Sequence, residues 1–123
     1  MKSRLFRCLL LCLVTLGMAS ISPSLTARTA TALATINVSE LPGEVLATLR
    51  LVRHGGPFPY RRDGIEFQNR ESRLPRRQPG YYHEYTVPTP GANDRGARRI
   101  IVGESEEFYF TADHYRSFKR VVP

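Results

Sequence analysis

The chain has 123 residues, with 18 Lys or Arg against 11 Asp or Glu, for a formal charge of +7. That length holds one domain and excludes dinucleotide-binding enzymes, closed barrels and multidomain machinery. A composition of 41% hydrophobic and 24% charged residues is that of an ordinary globular protein, and the basic excess points to an anionic partner: nucleic acid, a membrane surface or an acidic protein.

Residues 1–19 read MKSRLFRCLLLCLVTLGMA. Lys2, Arg4 and Arg7 form a positive start, residues 8–16 an apolar run, and small residues follow, which is the pattern of a secretory signal. The alternative is an uncleaved membrane anchor, but the run is short of the roughly 20 apolar residues a spanning helix needs. Gly17–Ala19, Ala30–Ala32 and Ala32–Ala34 are all small-x-small cleavage patterns. Residues 20–34 are rich in Ser, Thr and Ala without a packing pattern and read as a mobile pro-segment. The expected organisation is a leader over 1–34 and one domain over 35–123. Cys8 and Cys12 both lie in the leader, so the domain has neither a disulfide nor thiolate chemistry. Lys2, Arg4, Arg7 and Arg28 also leave with the leader, and residues 35–123 carry only +3. That modest charge argues against a membrane-lytic or histone-like role.

Residues 41–54 predict a helix. Pro42 suits a first turn and Glu44 lies near the positive end of the dipole. Val45, Leu46, Leu49 and Val52 form an apolar stripe, and Gly55-Gly56 stops the helix. His54 reads as a helix-terminal cation. From Gly55 to Gly80 the chain is punctuated by turn signals, with a short strand at Ile65–Phe67. Arg61-Arg62, Arg73 and Arg76-Arg77 are either solvated loop charges or a guide for a polyanion. Tyr81–Val87 is a strand that places Tyr82, Glu84 and Thr86 on one face and Tyr81, His83, Tyr85 and Val87 on the other. Arg98–Gly103 follows as its antiparallel neighbour. Phe108–Phe110 and Phe118–Val122 are two more strands, with His114 in the loop between them. The expected fold class is α+β: one N-terminal helix packed on a small antiparallel sheet.

Glu84, Arg95, Arg99 and His114 suit metal-free phosphodiester cleavage. A carboxylate takes a proton, an imidazole gives one, and two guanidinium groups hold the phosphate. Composition and spacing leave a second reading open, a cross-strand Glu84–Arg99 ion pair and a solvated histidine. Other chemistries fit worse. His83-Glu84 lacks the second histidine of a zinc helix, the three histidines are scattered, and there is no G-x-S-x-G.

The segments GPFPYRRDGIEFQNRE, GYYHEYTVPTPGANDRGARRIIVG and YFTADHYRSF, in that order, resemble the small secreted bacterial guanyl-specific ribonucleases of the barnase type, from about Leu41 to Phe118. The resemblance implies the microbial ribonuclease fold. It places a general base at Glu84, phosphate-binding arginines at Arg95 and Arg99, a general acid at His114, and Tyr115 beside the phosphate. It places the guanine site at Phe67, Gln68, Asn69, Arg70 and Glu71. There the backbone N–H groups of residues 68–70 face O6 and N7, Glu71 accepts from N1–H and the exocyclic amine, and Phe67 supplies an apolar wall. The implied activity is cleavage of single-stranded RNA after guanosine through a 2′,3′-cyclic phosphate, by a secreted monomer that needs no metal or cofactor and does not cut DNA. An acidic barstar-like inhibitor protein is a candidate partner, and a non-catalytic RNA- or inhibitor-binding protein of the same fold is the alternative. Several relatives tie the N-terminal segment to the C-terminus with a disulfide. Asn37 and Val121–Pro123 offer no cysteine for it, an expected loss of about 2–4 kcal/mol.

Overall fold

The computed structural model describes residues 32–123. The predicted signal, Cys8 and Cys12 lie outside the described residues. A six-stranded sheet carries the domain: β1 (Thr35–Asn37), β2 (Ile65–Glu66), β3 (Tyr82–Thr86), β4 (Arg99–Gly103), β5 (Phe108–Thr111) and β6 (Lys119–Val122), in the spatial order β1-β6-β5-β4-β3-β2. One α-helix, α1 (Gly43–His54), packs on it. The class is the α+β arrangement that the periodicity predicts. One feature adds to it: β1 precedes the helix and pairs in parallel with β6, whereas every other neighbouring pair is antiparallel.

Helix and cap follow from local chemistry. Pro42 stands just before the helix, its carbonyl accepting from Val45 and Leu46, and the donor it lacks is one the first turn leaves unpaired anyway. Gly55 ends the helix at φ 77°, a left-handed conformation that a side chain disfavours. The predicted stripe faces the sheet. Val45 and Leu49 are buried with Leu41, Val87, Ile100 and Phe110, and Leu46 packs against the rim of this cluster. Full burial of each such side chain is worth about 1.5–3 kcal/mol.

The opposite face of the sheet is covered by loops. Leu74, Tyr82, Ile101, Tyr109 and Phe118 form a second cluster, with Phe67 and Tyr115 packed on it. Ile100 and Ile101 are both fully buried, one toward each cluster. Strand register then sets which polar groups share the loop-covered face. Glu84 lies opposite Ile101, and Thr86 opposite Arg99, which in turn lies opposite Thr111. Glu84, Thr86, Arg99 and Thr111 are thus a buried polar patch continuous with an apolar core.

Leu33 also packs against the second cluster, and the Ala34 carbonyl accepts from the Arg120 N–H at 2.7 Å. At the chain ends a hydrogen bond stands where relatives were expected to have a disulfide. The Asn37 amide donates to the Pro123 carbonyl at 2.7 Å, while its side-chain oxygen accepts from the Ser39 N–H and caps a 3-10 turn at Val38–Glu40. Asn37→Ala removes both contacts and should lower unfolding free energy by about 1–2 kcal/mol, measured by urea denaturation with an unchanged slope.

Candidate active site

Glu84 projects from the middle of β3 and is 5% exposed. A carboxylate that deep requires partners. Its Oε2 accepts a hydrogen bond from the Tyr115 hydroxyl at 2.7 Å. Its Oε1 lies 3.4 Å from Arg95 Nη2 and 3.8 Å from Arg62 Nε. Arg99 does not pair with Glu84 directly. Its Nε donates to the Tyr115 hydroxyl oxygen at 3.2 Å, so Tyr115 stands between base and arginine. Burial, and then the hydrogen bond to Glu84, raise the Tyr115 pKa, which keeps the hydroxyl a donor.

The two arginines are positioned by the link between β3 and β4. Arg95 Nε and Nη2 donate to Thr86 Oγ1 at 3.0 and 2.7 Å. Arg99, 2% exposed, sends Nη1 to the carbonyls of Gly96 and Arg98 at 2.9 and 2.7 Å. Gly96 has φ 62°, and a Cβ there would collide with the Thr89 side chain. The link therefore has this shape only with glycine between the arginines.

His114 sits on the loop after β5, exposed, with φ 54°, and Tyr115 follows with φ 68°. Two successive non-glycine residues in the left-handed region need external restraint. The His114 N–H donates to the Ala97 carbonyl at 3.0 Å, and the Tyr115 N–H to Thr111 Oγ1 at 3.1 Å. Asp113 fastens the same loop, accepting from the Ser117 hydroxyl, the Ser117 N–H and Thr111 Oγ1. No hydrogen bond within the described residues engages the His114 ring. That ring is 4.8 Å, centroid to centroid, from the ring of Tyr115.

A cleft of about 200 Å³ adjoins this group. It is lined by Phe67 and the loop Gln68–Glu71, with Arg73, Tyr115 and Phe118. The rings of Phe67 and Tyr115 stack at 5.3 Å and 22°. The Asn69 side chain clamps the loop: it donates to the Leu74 carbonyl at 2.9 Å and accepts from the Leu74 N–H at 3.0 Å. Among the described residues, the backbone N–H groups of Gln68, Asn69 and Arg70 donate to no acceptor. Arg73 Nε holds the exposed Glu71 carboxylate at 2.6 Å.

All ten residues expected from the sequence thus fall in two adjoining groups: Phe67–Glu71 and Tyr115 at the cleft, and Glu84, Arg95, Arg99 and His114 beside Tyr115. The expectation had no place for Arg62, Thr86, Asp113 or Phe118 in the site, and took Arg73 only as a loop charge. Arg62 and Arg73 carry a visible signal, a basic residue in a turn-rich stretch. Thr86 carries another, since it shares the Glu84 face by alternation.

A family model described as ribonuclease matches residues 24–122. The chain belongs to the ribonuclease family. It is 61% identical over 84 residues to guanyl-specific ribonuclease Sa3 of Kitasatospora aureofaciens, covering 68% of this chain and 60% of that relative. It is 57% identical over 88 residues to guanyl-specific ribonuclease Sa of the same organism, covering 71% of this chain and 92% of that one. The solved structure of ribonuclease Sa2 complexes with mononucleotides matches at a TM-score of 0.74 and 51% identity, over 75% of this chain and 96% of that one. The same enzyme with guanosine-2′-cyclophosphate matches at a TM-score of 0.72 and 50% identity, over 75% and 98%. In this member of the family, hydrogen bonds from Ser117 and then Thr111 hold the Asp113 carboxyl down to about 2. A lowered folded-state pKa stabilises above the ordinary value of 3.8 and is lost as pH falls through about 2. Asp113→Asn should therefore melt below wild type at neutral pH, the gap closing toward pH 2, as followed by thermal melts across that range.

Proposed function

We propose that this chain is a secreted guanyl-preferring endoribonuclease that cleaves single-stranded RNA on the 3′ side of guanosine by metal-free transphosphorylation. One structural feature carries most weight: three successive backbone donors, on Gln68, Asn69 and Arg70, have no acceptor in the described protein and border a cleft shared with Tyr115. Guanine presents two acceptors, O6 and N7, beside two donors, N1–H and the exocyclic amine. A row of N–H groups followed by the Glu71 carboxylate is the complement of that edge. Adenine would leave the carboxylate facing an acceptor, and a site built this way rejects such a base strongly. The base must leave its stack to enter, which favours single-stranded RNA. Guanyl-specific relatives and the guanosine-2′-cyclophosphate complex of ribonuclease Sa2 support the same assignment.

With guanine seated, the adjacent phosphate lies toward Glu84, Arg95, Arg99 and His114. Glu84 takes the proton of the ribose 2′-OH, and the 2′-oxygen forms a bond to phosphorus. The bond from phosphorus to the 5′-oxygen breaks, and protonated His114 delivers its proton to that oxygen. Arg95 and Arg99 offset the charge that builds on the phosphoryl oxygens. Tyr115 holds the Glu84 carboxylate in place from the other side. Water then opens the 2′,3′-cyclic phosphate with the roles of Glu84 and His114 exchanged. Export rests on the residues 1–19 pattern. Among the described residues no helix is long and apolar enough to cross a membrane.

Digestion of a defined RNA with mapping of the new 3′ ends tests substrate, base preference and mechanism together. Ends that carry a guanosine 2′,3′-cyclic phosphate are expected, and even cleavage after A, C and U would exclude the guanine site. Glu84→Gln and His114→Ala should each cost at least about 100-fold in kcat, and the wild-type pH–rate profile should be bell-shaped. Glu71→Gln should raise KM for GpU and narrow its advantage over ApU by about 10-fold or more, equivalent to roughly 1–3 kcal/mol. Retention of full discrimination would place base reading elsewhere.

A further inference from the structure

A second cavity, of about 550 Å³, adjoins the recognition loop. It shares Phe67–Arg70 with the guanine cleft and is closed by Arg76–Gly80 and Tyr82. Three guanidinium groups line it, those of Arg70, Arg76 and Arg77, and none has a carboxylate within ion-pair distance among the described residues. Its one carboxylate, Glu66, accepts the Gly80 N–H at 2.8 Å and so serves the backbone. Three cations facing one space repel one another unless an anion enters.

The arginines are carried on a fastened loop. The Tyr82 hydroxyl donates to the Pro75 carbonyl at 2.7 Å, the Tyr81 N–H donates to the Gln78 carbonyl at 3.2 Å, and the Arg77 guanidinium lies 5.3 Å over the Tyr81 ring. A backbone held on both sides of Arg76-Arg77 lowers the ordering cost of binding. Tyr82 is two positions along β3 from Glu84 and on the same face. RNA that runs along this face from the cleavage site reaches the arginines.

We propose that Arg76 and Arg77, with Arg70, form a phosphate site for nucleotides flanking the guanosine, so that the enzyme grips longer RNA more tightly than a dinucleotide. The inference rests on RNA as substrate. It adds a site that takes no part in base reading or bond cleavage. Guanidinium groups suit phosphodiester oxygens through paired N–H donors, and the contact carries no base preference.

The test compares wild type with the Arg76→Gln/Arg77→Gln double variant on GpU and on single-guanosine RNAs of about ten nucleotides extended to the 5′ or the 3′ side. Fluorescence anisotropy measures binding of the same oligonucleotides without requiring cleavage, so a failed ribonuclease reading is visible separately. The double variant should bind and cleave at least one extended RNA about tenfold more weakly, with GpU cleavage unchanged within about twofold and the salt dependence flattened by about one unit of slope. Arg76→Lys/Arg77→Lys should recover most of the loss. Undiminished binding of both extended RNAs, or an equal loss on GpU, overturns the proposal. So does a loss confined to poly-glutamate binding, which would reassign the loop to an acidic protein.

Discussion

The Tyr115 hydroxyl is the contact on which the site depends. It donates to the buried Glu84 carboxylate and accepts from Arg99, joining two charges that lie on adjacent strands but not opposite each other. Without that bridge Arg99 would keep only backbone carbonyls for company, and Glu84 would lose its shortest hydrogen bond. Burial of an ion pair is weak evidence of stabilisation, because desolvation can outweigh the attraction. The arrangement makes better sense as preparation for a ligand. A carboxylate kept charged beside three guanidinium groups is set for a proton and a phosphate to arrive together.

The fold makes this possible by dividing the work between the two faces of one sheet. Helix α1 covers one face with an apolar stripe. The other face is covered only by loops, and its core of Leu74, Tyr82, Ile101, Tyr109 and Phe118 runs directly into the polar patch. The strands hold Glu84, Thr86 and Arg99 in register, while the loops supply His114, Tyr115 and the recognition segment. Rigid strands with adaptable loops at their edge are a common setting for binding sites.

Backbone strain concentrates where the chemistry is. Asn69, Ser72, His114 and Tyr115 all have positive φ. Each pair belongs to a loop tied by side-chain hydrogen bonds, the Asn69 clamp on Leu74 in one case and Asp113 with Thr111 in the other. The recognition loop thereby turns its amides away from other protein acceptors. This is costly for a loop with no ligand, and sensible for one that reads a base edge through its backbone.

Much of this was legible in the sequence because it is local. The helix with its Gly55 cap, the alternation of β3, the double-faced β4 and the ordered motifs around Phe67–Glu71, Glu84, Arg95, Arg99 and His114 depend on neighbours a few residues apart. The three residues of β1 are too short for a periodicity signal, and their pairing with β6 joins the two ends of the domain. The hydrogen bond from Asn37 to Pro123 spans 86 positions, and that from Tyr115 to Glu84 spans 31. Such contacts, like the seat of Arg95 on Thr86, exist only once register and loop shape bring distant side chains within hydrogen-bond reach. The residue types were written in the sequence, and the packing of the sheet decided which of them meet.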